Sequence, residues 1–457
     1  APAFDHALHV RSAADFPLMW FGLYSEPRVV KTAKVFLNAS ELGSLGSPKW
    51  QPTVERESYN TDIEKIKDYI ARGRTYQVNY TMCLNSEFNG RAWDFFLNLA
   101  QSQNKYAAYI DTGRYSICSA SPELFFKLDG DKIYSKPMKG TVKRGRTTRE
   151  DKEQAGCLYH STKNRAENVM IVDMVRNDLG RIAEIGSVHV PELFTIEKYP
   201  TLFQMTSTVQ ARTKASLTEI FSALFPCASI TGAPKVSTMK IISELETTPR
   251  KIYTGSIGYI SPNRKAQFNV AIRTALIDRE NKIAEYGVGG GIVWDSISAD
   301  EYSEALLKAR VLRERSHSIG FYLFETMLWT PNDGYFLLEK HIARMADSAK
   351  YFDFPFSTNK LEVFLSQTAG RFTSPQRVTV LLNRFGELKD ETKDFYSQEN
   401  RYKVCLAKHP IDSRNVFLFH KTTRREIYPS PRDQDAIHGG EGIEDLLLFN
   451  ERSELTE

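Results

Sequence analysis

Strand-like and helical tracts follow one another along this chain without a regular beat. That irregularity constrains the fold more than any other feature. Strand-like runs, rich in β-branched and aromatic residues, come almost back to back at 75–81, 106–110, 115–118, 124–128 and 132–135. Helical patterns follow at 161–177, 217–224 and 235–245, before strands return at 254–260, 268–276 and 283–288. A helix at 299–312 ends this block. An earlier helix is signalled by Ile63, Ile66 and Ile70 at helical spacing, with Gly73 where a helix C′ residue belongs. A doubly wound parallel sheet needs strands and helices in strict alternation, so the pattern predicts an α+β fold of mixed or antiparallel sheets with helices outside.

The tracts fall into two blocks. Residues 1–50 read weakly, with a loop at 43–48. Residues 51–313 form the first block, 314–320 a polar linker, and 321–457 a second block with strands at 322–328, 378–383 and 402–406 and a helix at 338–352. The 457 residues carry 60 basic and 56 acidic side chains, a net charge of +4, too small for this length to argue for nucleic acid or an anionic membrane. There is no apolar run of about 18 residues, so no transmembrane helix is expected. The segment Ala1 to His6 has no basic stretch followed by an apolar one, so no secretory signal is expected. Cys83, Cys118, Cys157, Cys227 and Cys405 stand singly, which argues for a reducing, cytoplasmic setting and against a zinc site or disulfide frame.

Chemistry-bearing residues cluster in the first block. Ser119 to Glu123 is followed by Lys136-Pro137-Met138-Lys139-Gly140-Thr141. A carboxyl and an amine brought together serve as general acid and nucleophile when the lysine is partly deprotonated. Lys143, Arg144 and Arg146 could lower its pKa by like-charge repulsion. On spacing alone, a surface ion pair between Glu123 and Lys139 is the simpler reading. Glu167 lies on the 161–177 helix, and Glu301, Glu304 and Lys308 share one face of a later helix. Carboxylates from two helices suit Mg²⁺, though a solvated acidic face with a Glu–Lys pair reads as well. Gly287 to Gly291 is glycine-rich and suits either close anion approach or a turn. Ile292 excludes the dinucleotide fingerprint. Thr231-Gly232-Ala233-Pro234-Lys235 leads into a helix, whose N-terminus favours anions. Arg273 is read inside an apolar strand, where its charge needs a partner.

In this order the motifs resemble the chorismate-utilising enzyme family over roughly residues 50–313. Pro137-Met138-Lys139-Gly140-Thr141 resembles the lysine motif of the branch that aminates chorismate at C4. The branch that aminates C2 and forms anthranilate carries alanine where Lys139 stands. The resemblance implies that Lys139 adds to C2 of the ring while Glu123 protonates the departing 4-hydroxyl. Ammonia then attacks C4 and expels the lysine, giving 4-amino-4-deoxychorismate, a precursor of p-aminobenzoate and folate. It implies Mg²⁺ on Glu167 and Glu304 with Glu301 close by. It also implies substrate contacts from Thr141, Thr231, Gly232, Tyr259, Arg273, Gly289, Gly290 and Lys308. Gln77 matches the place where isochorismate-forming relatives keep a lysine base, and its amide cannot act as that base. Ammonia would come from a separate glutamine amidotransferase subunit, since the chain shows no convincing nucleophilic-cysteine elbow.

The second block resembles the class IV pyridoxal-phosphate enzymes, which include lyases acting on aminodeoxychorismate. Phe324-Glu325-Thr326, Leu338 to Met345 and His420 to Arg424 match that family. The resemblance implies Schiff-base attachment of pyridoxal phosphate at Lys421, phosphate binding by Arg344 and a pyridine-nitrogen contact from Glu457. The sequence ends where such a site would still need chain, so weak cofactor binding is expected. A pyridoxal-dependent lyase or aminotransferase whose first domain only binds a partner is the alternative from another class.

Overall fold

A computed structural model describes residues 1–13, 15–30, 48–102, 105–312, 320–396, 403–426, 428 and 445–456. The chain divides into two units. One comprises residues 1–143 and 155–319, the other residues 144–154 and 320–457. The segment 144–154 therefore clusters with the second unit, although it lies among the motifs of the first block. Most of the linker (314–319), most of the 43–48 loop, and Glu457 lie outside the described residues.

The first unit is built on two seven-stranded sheets. One runs Gln51–Pro52, Gln77–Glu87, Ile283–Ile292, Thr274–Asp278, Tyr115–Ser121, Tyr106–Asp111, with Gly232–Ala233 paired to Gln77–Glu87. The other runs Ser256–Ser261, Lys265–Val270, Leu124–Asp129, Lys132–Lys136, Leu202–Arg212, Met138–Lys143, with His189–Lys198 added to Leu202–Arg212. Every pairing in both sheets is antiparallel. The α+β expectation is met.

Side-chain alternation decides what each sheet face does. Along Gln77–Glu87, Val78, Tyr80, Met82 and Leu84 enter a core shared with Tyr59, Ile63 and Ile66 of helix Arg56–Ala71. Burying each such aliphatic side chain contributes about 1.5–3 kcal/mol. Gln77, Asn79 and Thr81 then point the other way, so polar groups line the opposite face. Helix Arg56–Ala71 ends at Arg72, and Gly73 follows with φ +70°, a left-handed turn that suits glycine.

Among the elements that the sequence patterns missed, which include helices Thr148–His160 and Thr358–Ala369 and strand Leu388–Asp394, three have identifiable reasons. Helix Ala92–Ser102 has a nearly unbroken apolar run, Phe95 to Leu97 with Leu99 and Ala100, which hides its period. Strand Leu202–Arg212 buries Gln204, Thr206 and Ser207 as well as apolar residues. Strand His189–Lys198 contains two register shifts and Pro191, which blur its alternation.

The run read as one strand at 268–276 is two strands in different sheets. Lys265–Val270 belongs to one and Thr274–Asp278 to the other. Arg273 sits at the break with φ +51°, so it lies in a crossing segment and not inside a strand. Pro122 and Glu123 make the companion crossing, from Tyr115–Ser121 to Leu124–Asp129. The two crossings are tied together: Val270 N donates to Glu123 O at 3.1 Å and Ala120 N to Arg273 O at 3.0 Å.

In the second unit, a four-stranded sheet runs Gly334–Tyr335, Leu323–Thr330, Gln376–Leu382, Leu388–Asp394. Helices Leu338–Phe352 and Thr358–Ala369 bury Ile342, Met345, Leu361 and Leu365 in a core with Val378 and Val380. A smaller sheet holds Val404–Leu406, Asp445–Phe449 and Leu455–Thr456. Within this unit Arg144 pairs with Asp151 and its guanidinium lies 4.3 Å from the centre of the Tyr351 ring. The Tyr351 hydroxyl donates to Gly145 O at 2.6 Å.

Candidate active site

Lys139 owes its placement to a bulge. In strand Met138–Lys143, Met138 faces Thr206 and Thr141 faces Gln204, so Lys139 and Gly140 together oppose Met205. A bulge re-aims the side chain it carries. Gly140 takes φ +94°, with Asn164 of helix Thr162–Gly180 packed against it. Among the described residues the Lys139 amine forms no ion pair or hydrogen bond. The surface ion pair with Glu123 is therefore not formed.

Glu123 is 2% exposed, and its Oε1 accepts from Ser229 Oγ at 2.6 Å. Burial pushes its carboxyl up to about 7, against the opposing influence of Ser229, Lys139 and the Met138 amide. Burial holds the Lys139 amine below its ordinary range. The nearby cation is Lys308, while Glu167, Glu123 and Glu304 oppose the shift. Lys143, Arg144 and Arg146, offered as causes by sequence proximity, are not among them. The two groups move in opposite directions: burial disfavours the charged form of both the amine and the carboxyl.

The glycine-rich run is part of a strand and not a turn. Gly287 to Gly291 lie inside strand Ile283–Ile292, paired with Cys83 to Asn79 of Gln77–Glu87. Their use is to leave room. A Cβ on Gly291 would lie 2.6 Å from Lys139 Nζ and 2.8 Å from Gln77 Nε2. A Cβ on Gly290 would lie 3.1 Å from Glu301 Oε2 and 3.6 Å from Lys308 Nζ. The bare end of this strand thus gathers Lys139, Gln77, Glu301 and Lys308. Among the described residues both polar atoms of the Gln77 side chain are buried without a partner. We expect Gly291→Ala to fold, because only flexible side-chain tips are crowded. It should lower turnover about 100-fold by displacing the amine. Thermal melts beside kinetics would check both halves.

Helix Ser298–Lys308 supplies Glu301, Glu304 and Lys308. Glu304 pairs with Lys308 at 3.0 Å, Lys308 donates to Gly289 O at 2.8 Å, and Ser296 Oγ donates to Glu301 Oε1 at 2.7 Å. Glu301 is held above the ordinary carboxylate range, first by burial and also by neighbouring Glu304. Among the described residues no three His, Cys, Asp or Glu side chains gather into a metal cage. Glu167 and Glu304 both act on Lys139 electrostatically, which places them around one amine.

Gly232 has φ +143°, and a Cβ there would lie 2.0 Å from the backbone oxygen of Gln77. Only glycine fits this close approach. Gly232→Ala should cost about 3 kcal/mol or more, read as a lowered denaturation midpoint at unchanged slope. The Thr231 hydroxyl is taken up by Cys227 O and Ala228 O, at 3.1 and 3.3 Å. Arg273 is crowded by protein and has no ion pair among the described residues. Thr141 is exposed on its strand. Tyr259 is 57% exposed on the edge strand Ser256–Ser261, and none of the contacts above reaches it. Ser229 and Ser296 carried no sequence signal of their own, beyond the position of Ser229 two residues before Thr231.

In the second unit, Lys421 Nζ lies 3.9 Å from Glu325 Oε2. Burial holds this amine below its ordinary range. Arg344 Nε donates to Glu325 Oε1 at 2.6 Å, and His341 Nδ1 lies 2.7 Å from Oε2. Arg344 thus holds the buried Glu325 carboxylate through Nε and Nη2, while its side chain is 51% exposed.

Residues 7–314 match the family model for chorismate binding enzymes, and residues 322–457 match that for class IV amino-transferases. The chain is 40% identical over 269 residues to aminodeoxychorismate synthase component 1 of Escherichia coli, covering 58% of this chain and 59% of that protein. It is 42% identical over 266 residues to a probable chloroplastic aminodeoxychorismate synthase of rice, covering 56% of this chain and 29% of that protein. The chain thus spans between about a third and three fifths of these relatives. The crystal structure of anthranilate synthase component I from Streptococcus pneumoniae superposes with a TM-score of 0.54 at 30% identity, over 62% of this chain and 65% of that one.

Proposed function

Because the chain belongs to the chorismate binding enzyme family, we propose that its first unit aminates chorismate at C4, giving 4-amino-4-deoxychorismate. The observation that carries this reading is the opposed pair. Lys139 is held down and Glu123 is held up, each mainly by burial, and each acts on the other electrostatically. Those are the directions of shift that a nucleophilic amine and a general acid need. The Lys139 amine bonds to C2 as the ring double bond shifts. The C4 hydroxyl leaves as water with the proton of Glu123. Ammonia then bonds to C4 as the double bonds shift back and the bond from C2 to Lys139 breaks; the new ammonium group returns one proton to Glu123, and Lys139 leaves as the neutral amine. Gln77, whose two polar side-chain atoms have no partner among the described residues, would orient substrate or ammonia.

Chorismate carries two carboxylates, and the pocket offers Lys308 while Arg273 waits unpaired at the sheet crossing. Glu167 and Glu304, with Glu301 close by, would hold Mg²⁺ together with substrate oxygens and water, which needs no ready-made protein cage. Hard oxygens suit the ion, and the mutual repulsion of Glu301 and Glu304 is what a dication relieves. Bound there, it would neutralise a substrate carboxylate. A glutamine amidotransferase partner supplies ammonia in this reading. Five unpaired cysteines among the described residues agree with a reducing, cytoplasmic setting. The proposal concerns the first unit's reaction; in the second unit Lys421 and Arg344 are the residues that would hold pyridoxal phosphate.

Product analysis tests the proposal. Chorismate, Mg²⁺ and an ammonium salt should yield 4-amino-4-deoxychorismate. Anthranilate with release of pyruvate would overturn the reading in favour of amination at C2.

A further inference from the structure

We propose that Ser229 is the positioning residue of the acid: its hydroxyl holds Oε1 of Glu123 as an acceptor and so leaves the acidic proton on Oε2. This deepens the C4-amination reading and rests on it. Ser229 Oγ lies 2.6 Å from Glu123 Oε1 and 3.3 Å from Cys227 Sγ, and all three side chains are buried.

A serine hydroxyl has one proton to donate, and the short contact directs it to Glu123. The Cys227 thiol must then donate to Ser229. Burial pushes that thiol up to about 12, so it keeps the proton it donates. The donors run one way, from Cys227 through Ser229 to Glu123. In a protonated carboxyl group one oxygen carries the proton and the other accepts. The oxygen that accepts from Ser229 is the carbonyl one. Oε2 is left to face the departing hydroxyl.

The other groups facing Glu123 are the Lys139 amine and the Met138 amide, and like Ser229 they favour its charged form. Ser229 is itself held. It lies in the turn Ala228–Ile230, whose Ile230 O accepts from Arg250 Nη1 at 3.0 Å. Arg250 in turn pairs with Glu246, whose Oε1 accepts from Thr81 N at 2.9 Å.

The test compares Ser229→Ala and Ser229→Thr with the parent chain. The protonated carboxyl of Glu123 is followed by its infrared C=O band, identified as the band missing in Glu123→Gln. Loss of the hydroxyl should raise the titration midpoint by about one unit, since a donor that favours the carboxylate is gone. With an ammonium salt as nitrogen source, kcat should fall about tenfold or more while KM for chorismate stays within about twofold. Ser229→Thr should restore both. An unmoved midpoint and unchanged kcat in Ser229→Ala would overturn the proposal. If that variant does not fold, Ser229→Cys keeps the volume with a weaker donor, and the same rise or absence of a rise decides. The infrared band needs no turnover. A parent chain that forms no 4-amino-4-deoxychorismate sinks the functional reading and leaves this one to the midpoint.

Discussion

Lys139→Ala should abolish formation of 4-amino-4-deoxychorismate while leaving the protein as stable as before or more so. The two halves have one cause. The amine is crowded by protein, its charged form is disfavoured by burial, and it has no ion pair among the described residues. A crowded, unpaired amine costs stability, so its removal relieves the fold. In the proposed reaction its role is covalent, and loss of a nucleophile lowers turnover on the order of 10³-fold or more. Thermal melts and product analysis on one preparation measure both. A variant that forms product at the parent rate sinks the nucleophile assignment. Mass spectrometry of the parent chain quenched with chorismate should show an adduct on the peptide containing Lys139.

Glu123→Gln should lower kcat by roughly 10²- to 10⁴-fold, the range expected when a general acid is removed. The amide fits the carboxyl's space and can still accept from Ser229 Oγ, so little stability should be lost. The pH dependence follows from the direction of the shift. Burial raises the carboxyl to about 7, so Glu123 keeps its proton well above the ordinary carboxylate range. Above about pH 7 that proton is lost, and activity should fall about tenfold per pH unit. Protonation of Lys139 silences the amine, and its lowered affinity for protons extends activity toward acid. Glu123→Gln should remove the basic limb. If that limb persists unchanged in the variant, Glu123 is not the acid.

Much of the candidate site could be read from residue order. Lys139, Glu123 and the Glu301–Lys308 helix face stand out because chemistry-bearing residues there interrupt or flank apolar tracts. The boundaries of helices Leu217–Leu224, Lys235–Leu245 and Leu338–Phe352 could be read because caps and apolar spacing act within one or two turns. Arg273 and the glycine run could not. A break between two sheets looks, in one dimension, like a continuous apolar strand. A glycine strand facing a pocket looks like a loop. In both cases the deciding neighbour lies far along the chain: Ser119 opposite Thr274, and Asn79 opposite Gly291.

Local rules therefore account for the α+β class, for most elements and for which residue types carry chemistry. Protonation states are another matter. Sequence proximity pointed to Lys143, Arg144 and Arg146 as the groups that lower the Lys139 pKa, and to a solvated ion pair with Glu123. Packing reversed both. Ser229, 106 residues from Glu123, holds the acid. Desolvation by both sheets, with Lys308 from a distant helix, lowers the amine. Desolvation depends on every atom that surrounds a group, and those atoms come from segments that only folding brings together.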